Sequence, residues 1–283
     1  MLPLVSVVTV AKNAGATIAE TIESVLSQDY PRLEYVVVDG ASTDGTADIV
    51  KRYGDRIAVF VSEPDSGMYF AMQKGIGLST GSLVWLLNAD DRFSDAHSVA
   101  SLVEARLSSG INGPVICYSN YRKYYPQLRR SVTVLSTEDL HTGMRFWHQA
   151  SIADRSAYDR VGGFDLGFRL AADFDWAVRA KKAGVRFIKF AGPPTAIFRH
   201  GGMSERHYRL SHIESERIIR REYGWLSYAR YAAKQRCKFF LRSISASLES
   251  LCGRRLPGVL QNAYLRIFRK QREFDPVDQR MSR

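Results

Sequence analysis

Residues 4–40 read LVSVVTVAKNAGATIAETIESVLSQDYPRLEYVVVDG, two β-branched apolar runs separated by a segment of helical periodicity. Leu4 to Val10 and Glu34 to Val38 have the length and residue types of buried strands. Between them, Thr17 to Gln28 puts Ile18, Ile22, Val25 and Leu26 on one helical face, and Thr17 with Glu20 has the spacing of a capping box. Strand, helix and strand in this order predict a βαβ unit with parallel strands. The pattern continues through strand-like runs at Ile57 to Val61, Leu83 to Leu87, Val115 to Tyr118 and Val185 to Phe190, with helices expected over Thr46 to Tyr53 and Tyr69 to Leu78. The fold class is therefore α/β, a mainly parallel sheet flanked by helices. Ligands of such sheets bind beyond the carboxyl ends of the strands.

At 283 residues and 45% hydrophobic composition the chain can bury a full core. Its three cysteines, Cys117, Cys237 and Cys252, are too few and scattered for a disulfide framework or a zinc site, so they read as free thiols of a reducing compartment. Met1 to Val5 has no basic leader, and no apolar run approaches the ~20 residues that span a bilayer. A cytoplasmic protein is expected. Charge is uneven: 18 of the 40 Lys/Arg and eight of the 29 Asp/Glu lie in residues 204–283, leaving 22 against 21 in residues 1–203. The basic surplus suggests an acidic surface as partner. RNA recognition calls for stacking aromatics on a sheet or a known module, and neither is present, so no nucleic acid is expected.

Polar residues gather where strands end. The first strand runs into Ala11-Lys12-Asn13, the second into Asp39-Gly40-Ala41-Ser42-Thr43-Asp44-Gly45, and the fourth into Asn88-Ala89-Asp90-Asp91. A carboxylate leaving a parallel strand can accept from a base N–H or a ribose hydroxyl, and Asp39 is placed for that. Thr43 and Asp44 precede a helix start and read as capping residues. Acidic groups at Asp90 and Asp91 suit a divalent cation shared with substrate phosphates. The first turn has no G-x-G-x-x-G and no P-loop lysine, which argues against hydride transfer and ATP hydrolysis.

These motifs, with Glu63-Pro64-Asp65-Ser66-Gly67-Met68-Tyr69, Gly162-Gly163-Phe164-Asp165 and Ala171-Ala172-Asp173-Phe174-Asp175-Trp176, give residues 5 to about 204 a resemblance to glycosyltransferase family 2. The similarity is to the bacterial subgroup that decorates exopolysaccharide, O-antigen or colanic-acid-like repeats. It implies a GT-A fold and inverting transfer from a nucleotide-diphosphate sugar, with uracil the favoured base. It also implies Mn²⁺ or Mg²⁺ as cofactor and a saccharide or polyprenyl-linked saccharide as acceptor. By the same resemblance, Thr9, Ala11, Asn13 and Asp39 line the nucleoside pocket, and Asp65 and Lys74 lie nearer the ribose and diphosphate. Asn88-Ala89-Asp90 occupies the D-x-D position with an amide first, so Asp90 carries the metal. Asp173 matches the general base, with Asp175 its local rival. His200, before Gly201-Gly202, falls near the metal or diphosphate, and Trp147, His148, Gln149 and Trp176 fall on the acceptor side. Phe70 and Gln73 depart from the Asp and Asn expected at their positions, which bears on donor identity. A catalytically silent nucleotide-sugar binder and a nucleotidyltransferase are the alternatives.

Beyond residue 204 the resemblance fades, and residues 205–283 read as a basic helical extension to the domain of residues 1–204. Arg230, Lys234, Lys238 and Arg242 recur every fourth residue, Leu241, Ile244, Leu248 and Leu251 form an apolar stripe, and Phe239 and Phe240 lie between. Such a helix either lies on an anionic membrane surface or packs on the catalytic domain or a second subunit.

Overall fold

The chain begins as its periodicity predicts, with β1 (Val5–Ala11), α1 (Ile18–Leu26) and β2 (Leu33–Asp39). Then come α2 (Thr46–Lys51), β3 (Val59–Ser62), α3 (Met68–Leu78), β4 (Leu83–Leu86), β5 (Arg92–Phe93), α4 (Ser98–Ser108) and β6 (Val115–Tyr118). A hairpin of β7 (Tyr121–Tyr125) and β8 (Arg130–Val134) precedes β9 (Ser151–Asp154), α5 (Arg155–Val161) and α6 (Ala172–Lys182). Last are β10 (Arg186–Lys189), β11 (Ala196–Arg199), α7 (Met203–Arg206), α8 (Tyr208–Cys252) and β12 (Arg272–Phe274). The computed structural model describes residues 1–144, 146–252 and 272–274.

Seven strands form the main sheet in the order β10-β6-β9-β4-β1-β2-β3. β1 pairs parallel with β2 from Val5↔Leu33 to Ala11↔Asp39 and parallel with β4 from Val5↔Leu83 to Val8↔Leu86. β9 runs antiparallel between β4 and β6. Both faces are covered, which is why the central strands are apolar without alternation. Val5, Val7, Tyr35 and Val37 pack with Ile18, Ile22 and Val25 of α1 and with Val99 and Leu102 of α4. Val8, Val10, Val36 and Val38 pack on the other side with Tyr69, Met72, Phe174 and Ile218. Gly75 lets α3 lie this close, since a Cβ there would collide with the Val8 side chain.

The second sheet, β12-β8-β7-β11-β5, has no counterpart in the sequence reading. The expected capping box also does not form. Thr17 makes no cap bond; its hydroxyl donates to Ala14 O at 3.4 Å, and the Glu20 carboxylate lies 3.7 Å from both Arg92 and Arg199. Two guanidinium groups outbid one backbone N–H for that carboxylate. Asp44 does work locally: its side chain accepts from Thr46 N at 3.1 Å and from Gly15 N at 2.8 Å, tying the first and second strand ends together.

α8 breaks at Gly224, where φ is 77°. Its first segment contributes Ile218 and Ile219, both fully buried, to the same core as Phe174 and Trp176. The extension expected from residue 205 thus begins on the body of the sheet domain. Side chains from Lys238 onward, including the Leu241 to Leu251 stripe and Phe239-Phe240, lie outside the described residues. Among the described residues no helix is long and apolar enough to cross a membrane. If α8 is part of the core, Ile218→Ala should cost about 2–5 kcal/mol, lowering Tm by at least about 4 °C in a thermal melt. An unchanged Tm would show that α8 only rests on the domain.

Candidate functional site

The carboxyl ends of β1 and β2 are stitched to each other. Asn13 and Ala41 both have left-handed backbone, with φ of 51° and 56°. Asn13 N donates to Ser42 Oγ at 2.7 Å, and Thr43 N donates back to Asn13 Oδ1 at 3.0 Å. Non-glycine residues held in this region carry strain, and such strain collects at ligand sites. Asp39 is fully buried and accepts from Ser42 N at 3.0 Å, Ser62 Oγ at 2.6 Å and the Ser42 hydroxyl. Three of roughly four lone-pair positions of a carboxylate are then taken, leaving one on Oδ1. Lys12, which the sequence reading passed over, donates to Gly40 O and to Ala41 O at 3.0 Å. A Cβ on Gly40 would meet both Lys12 and Asp65, so the structure brings Lys12, Asp39 and Asp65 around one turn.

Three expectations change here. Thr9 is fully buried, and Tyr35 donates its hydroxyl to Thr9 Oγ1 at 3.1 Å, so its side chain cannot line a nucleoside pocket. It shares the strand face of Val5 and Val7, under α1. Ala11 is also buried, and its carbonyl accepts from Gly40 N at 2.9 Å. Lys74 is ion-paired with Glu63, so its ammonium is not waiting for phosphate.

β4 leads into the acidic edge through two more bonds to β1, Leu87 N to Val8 O at 2.9 Å and Ala89 N to Val10 O at 3.2 Å. Asn88 Oδ1 is buried with no hydrogen-bond partner. Burial raises the Asp90 carboxyl above the ordinary range, although Arg199, Arg206 and His148 pull it back. Asp91 is raised further, by burial and then by Asp90 itself, and its Oδ1 accepts from Arg199 N at 2.9 Å, pinning β11. The Gly201-Gly202 loop reaches this edge, for a Cβ on Gly202 would stand 3.5 Å from Asp90 Oδ2. His200 does not join Asp90: its Nδ1 lies 2.5 Å from Glu205 Oε2 and its ring 4.6 Å from Tyr125. Among the described residues no three His, Cys, Asp or Glu side chains converge as a metal cage. What fits a cation is the Asp90 carboxylate with the orphaned Asn88 oxygen, hard oxygen ligands that leave room for diphosphate oxygens.

Asp173 stands at the start of α6. Tyr69 donates its hydroxyl to Asp173 Oδ1 at 2.7 Å, and His148 Nδ1 lies 3.2 Å from Oδ2. Burial works against its charge, but the His148 contact and charge, the Tyr69 hydroxyl and the Phe174 backbone outweigh it and hold the carboxyl below its ordinary range. The same carboxylate and burial push the Tyr69 phenol well up, so it stays a donor. Asp175 is no rival. It is fully buried in ion pairs with Arg179, at 2.8 Å, and Arg221.

His148 and Asp173 line the same cavity wall. The His148 Nε2 is buried without a partner. Gln149 is buried, and its carbonyl accepts from Trp85 Nε1 at 2.8 Å, so it supports the wall rather than facing an acceptor. Trp176 is likewise a packing residue, stacked on Tyr158 at 4.5 Å and donating to Gly162 O at 2.9 Å. With Met144, Phe146 and Tyr158 it lines an apolar cavity bounded by His148 and Asp173. Trp147 is half-buried against Phe198 and Tyr121, at 5.5 and 6.2 Å. Tyr69 was missed because a tyrosine opening an apolar helix reads as core, and Arg199 and Arg206 gave no signal among so many arginines.

The sequence profile of "Glycosyl transferase family 2" matches residues 6–159. An uncharacterized glycosyltransferase of Mycobacterium tuberculosis is 34% identical over 180 residues, 63% of this chain and 69% of that protein. The putative teichuronic acid biosynthesis glycosyltransferase TuaG of Bacillus subtilis is 42% identical over 94 residues, 32% of this chain and 37% of its own. Among solved structures, the mannosyltransferase PcManGT of Pyrobaculum calidifontis, in complex with GDP-Man and Mn²⁺, superposes with a TM-score of 0.59 at 22% identity. That superposition covers 88% of this chain and 81% of that one, and it shows the shared GT-A fold. With the profile spanning more than half of its length, the chain belongs to glycosyltransferase family 2.

Proposed function

We propose that the protein transfers a sugar, with inversion, from a nucleotide-diphosphate sugar to an acceptor hydroxyl on a growing or lipid-linked saccharide of the cell surface. The observation that carries this reading is the Asp173 carboxylate, held between the Tyr69 hydroxyl and the His148 imidazole on the wall of a cavity. The nucleoside lies along residues 12–13 and 39–42 with Asp65, where the last free lone pair of Asp39 meets a base N–H. Asp90 and Asn88 Oδ1 would hold the Mn²⁺ or Mg²⁺ that accompanies the diphosphate. Such a cation neutralises the charge that develops on the leaving diphosphate. Asp173 takes the proton of the acceptor hydroxyl as its oxygen bonds to the anomeric carbon. The bond from that carbon to the diphosphate oxygen breaks on the opposite side, and the electron pair leaves with the nucleotide. A positioned base contributes roughly 10²–10⁴-fold to such a step.

The donor is identified by a thermal-shift and turnover panel of nucleotide sugars with and without Mn²⁺, uridine donors first. Asp173→Asn should lose about 10²-fold or more of turnover and keep its nucleotide affinity, while Asp90→Asn should lose the Mn²⁺-dependent part of the donor shift. Nucleotide binding without turnover under either metal would identify a silent relative instead. Tyr69→Phe tests the electrostatics. The folded-state pKa of Asp173 is depressed, so the ionised base persists below the ordinary carboxylate range of about 4. Without the Tyr69 donor that pKa rises, and the acid limb of kcat should move to higher pH; an unmoved limb would count against Asp173 as the titrating base.

The basic extension supports a second part of the proposal, attachment to the inner face of an anionic membrane. Just after the Gly224 break, Trp225 and Leu226 are 63% and 78% exposed, and Arg220 stands 5.8 Å over the Trp225 ring. Exposed aromatic and aliphatic groups beside cations suit the headgroup boundary. In vesicle sedimentation with 30% phosphatidylglycerol, Trp225→Ser/Leu226→Ser should lose most of the bound fraction. Equal sedimentation of both proteins would remove this surface from the proposal.

A further inference from the structure

We propose that Glu214, on α8, is a positioning residue for sugar transfer, holding the start of α6 and through it the proton-accepting Asp173. This rests on the reading of Asp173 as base. Glu214 is 4% exposed, and its carboxylate accepts three successive backbone N–H groups, Arg169 at 2.9 Å on Oε1 and Leu170 at 2.8 Å and Ala171 at 3.0 Å on Oε2. Those residues lead directly into α6, whose N-cap, Ala171, offers no side-chain cap of its own. The loop that enters α6 is held instead by a helix more than forty residues further along the chain.

Charge and geometry both favour a carboxylate here. A helix start is the positive end of its macrodipole, and buried N–H groups leading into such a start are destabilising when unpaired. Seven residues on, Arg221 pairs with Asp175 on the next turn of α6, and it lies 3.8 Å from Asp165. Glu214, Ile218 and Arg221 thus form one stripe of α8, a carboxylate, an apolar side chain and a guanidinium. The stripe fixes α6 against sliding and rotation. Asp173 is the second residue of α6, and its carboxylate must reach Tyr69 on α3 and His148 before β9 at once. A shift of the helix start by about 1 Å breaks that three-element arrangement, and misplacement of that size costs about 10²-fold in reaction rate. Nucleotide contacts, made by β1 and β2, are untouched by such a shift.

Replacement by glutamine keeps the volume but presents an NH₂ to one of three donors, so at least one backbone N–H loses its acceptor. Steady-state kinetics on the full chain should show that Glu214→Gln lowers kcat by at least about 10-fold, with the donor KM and the affinity for the free nucleotide changed less than about 2-fold. Glu214→Asp, which keeps the charge on a shorter arm and serves if the glutamine variant does not fold, should fall between it and wild type. Ile219→Val, a core change in the same helix, supplies a protein of reduced Tm for comparison and should keep its kcat. Wild-type kcat in folded Glu214→Gln overturns the proposal, as does a loss in which kcat, donor KM and nucleotide affinity worsen together in step with Tm. Asp173→Asn in the same assay separates the two readings. Full turnover there overturns the base assignment itself, whereas an inactive Asp173→Asn beside a fully active Glu214→Gln overturns only the positioning role.

Discussion

The parallel pairing of β1 with β2 on one side and β4 on the other is the constraint from which the site follows. Seven consecutive residues of β1 are buried because helices cover both faces, so no polar side chain that needs water can sit along the strand. Polar groups are pushed to the ends, and the common strand direction collects them at one edge. Asn13, Asp39 and Asn88 to Asp91 are far apart in sequence and adjacent in register for this reason. The β1–β2 turn then uses its own polar atoms to hold two left-handed residues in place, which prepares a concave backbone before any ligand arrives.

Electrostatically the edge has two halves set in opposite directions. Asp91 is buried and Asp90 half-buried beside it, and both carboxyls are shifted upward, so a cation placed here would offset the cost of their charge. Asp173 is buried too, yet an imidazole and a phenol on its two oxygens shift its carboxyl downward. Two carboxylate environments pushed apart in this way are the usual signature of divided chemical roles.

Much of this was legible in the sequence, and the failures have physical causes. The central strands and α1 to α3 were readable because burial on both faces leaves unbroken apolar runs and a clear helical period. β7, with its Tyr-Arg-Lys-Tyr-Tyr run, and β9, with two apolar residues, carry no such pattern, and a strand inserted antiparallel between parallel ones has no local signal. The carboxylates of the candidate site were named from strand ends and from the family resemblance, neither of which says which way a side chain points. Thr9 could have been assigned to the face under α1 from its parity with Val5 and Val7. Gln149 and Trp176 could not, because only tertiary packing turns them inward. Glu214 was least legible of all, since a glutamate on a charged helix reads as solvated until the loop it caps is in place.

The GT-A body and the first segment of α8 act as one unit in this account, with the helix that carries the base held from outside the profile-matched region. The central claim is direct displacement assisted by Asp173, with no covalent sugar on the protein. The measurement that tests it most directly is proton NMR of the first-formed product, taken early in turnover with the nucleotide sugar that the protein accepts. An anomeric configuration opposite to that of the donor is the result expected. Retention of the donor configuration would contradict the account.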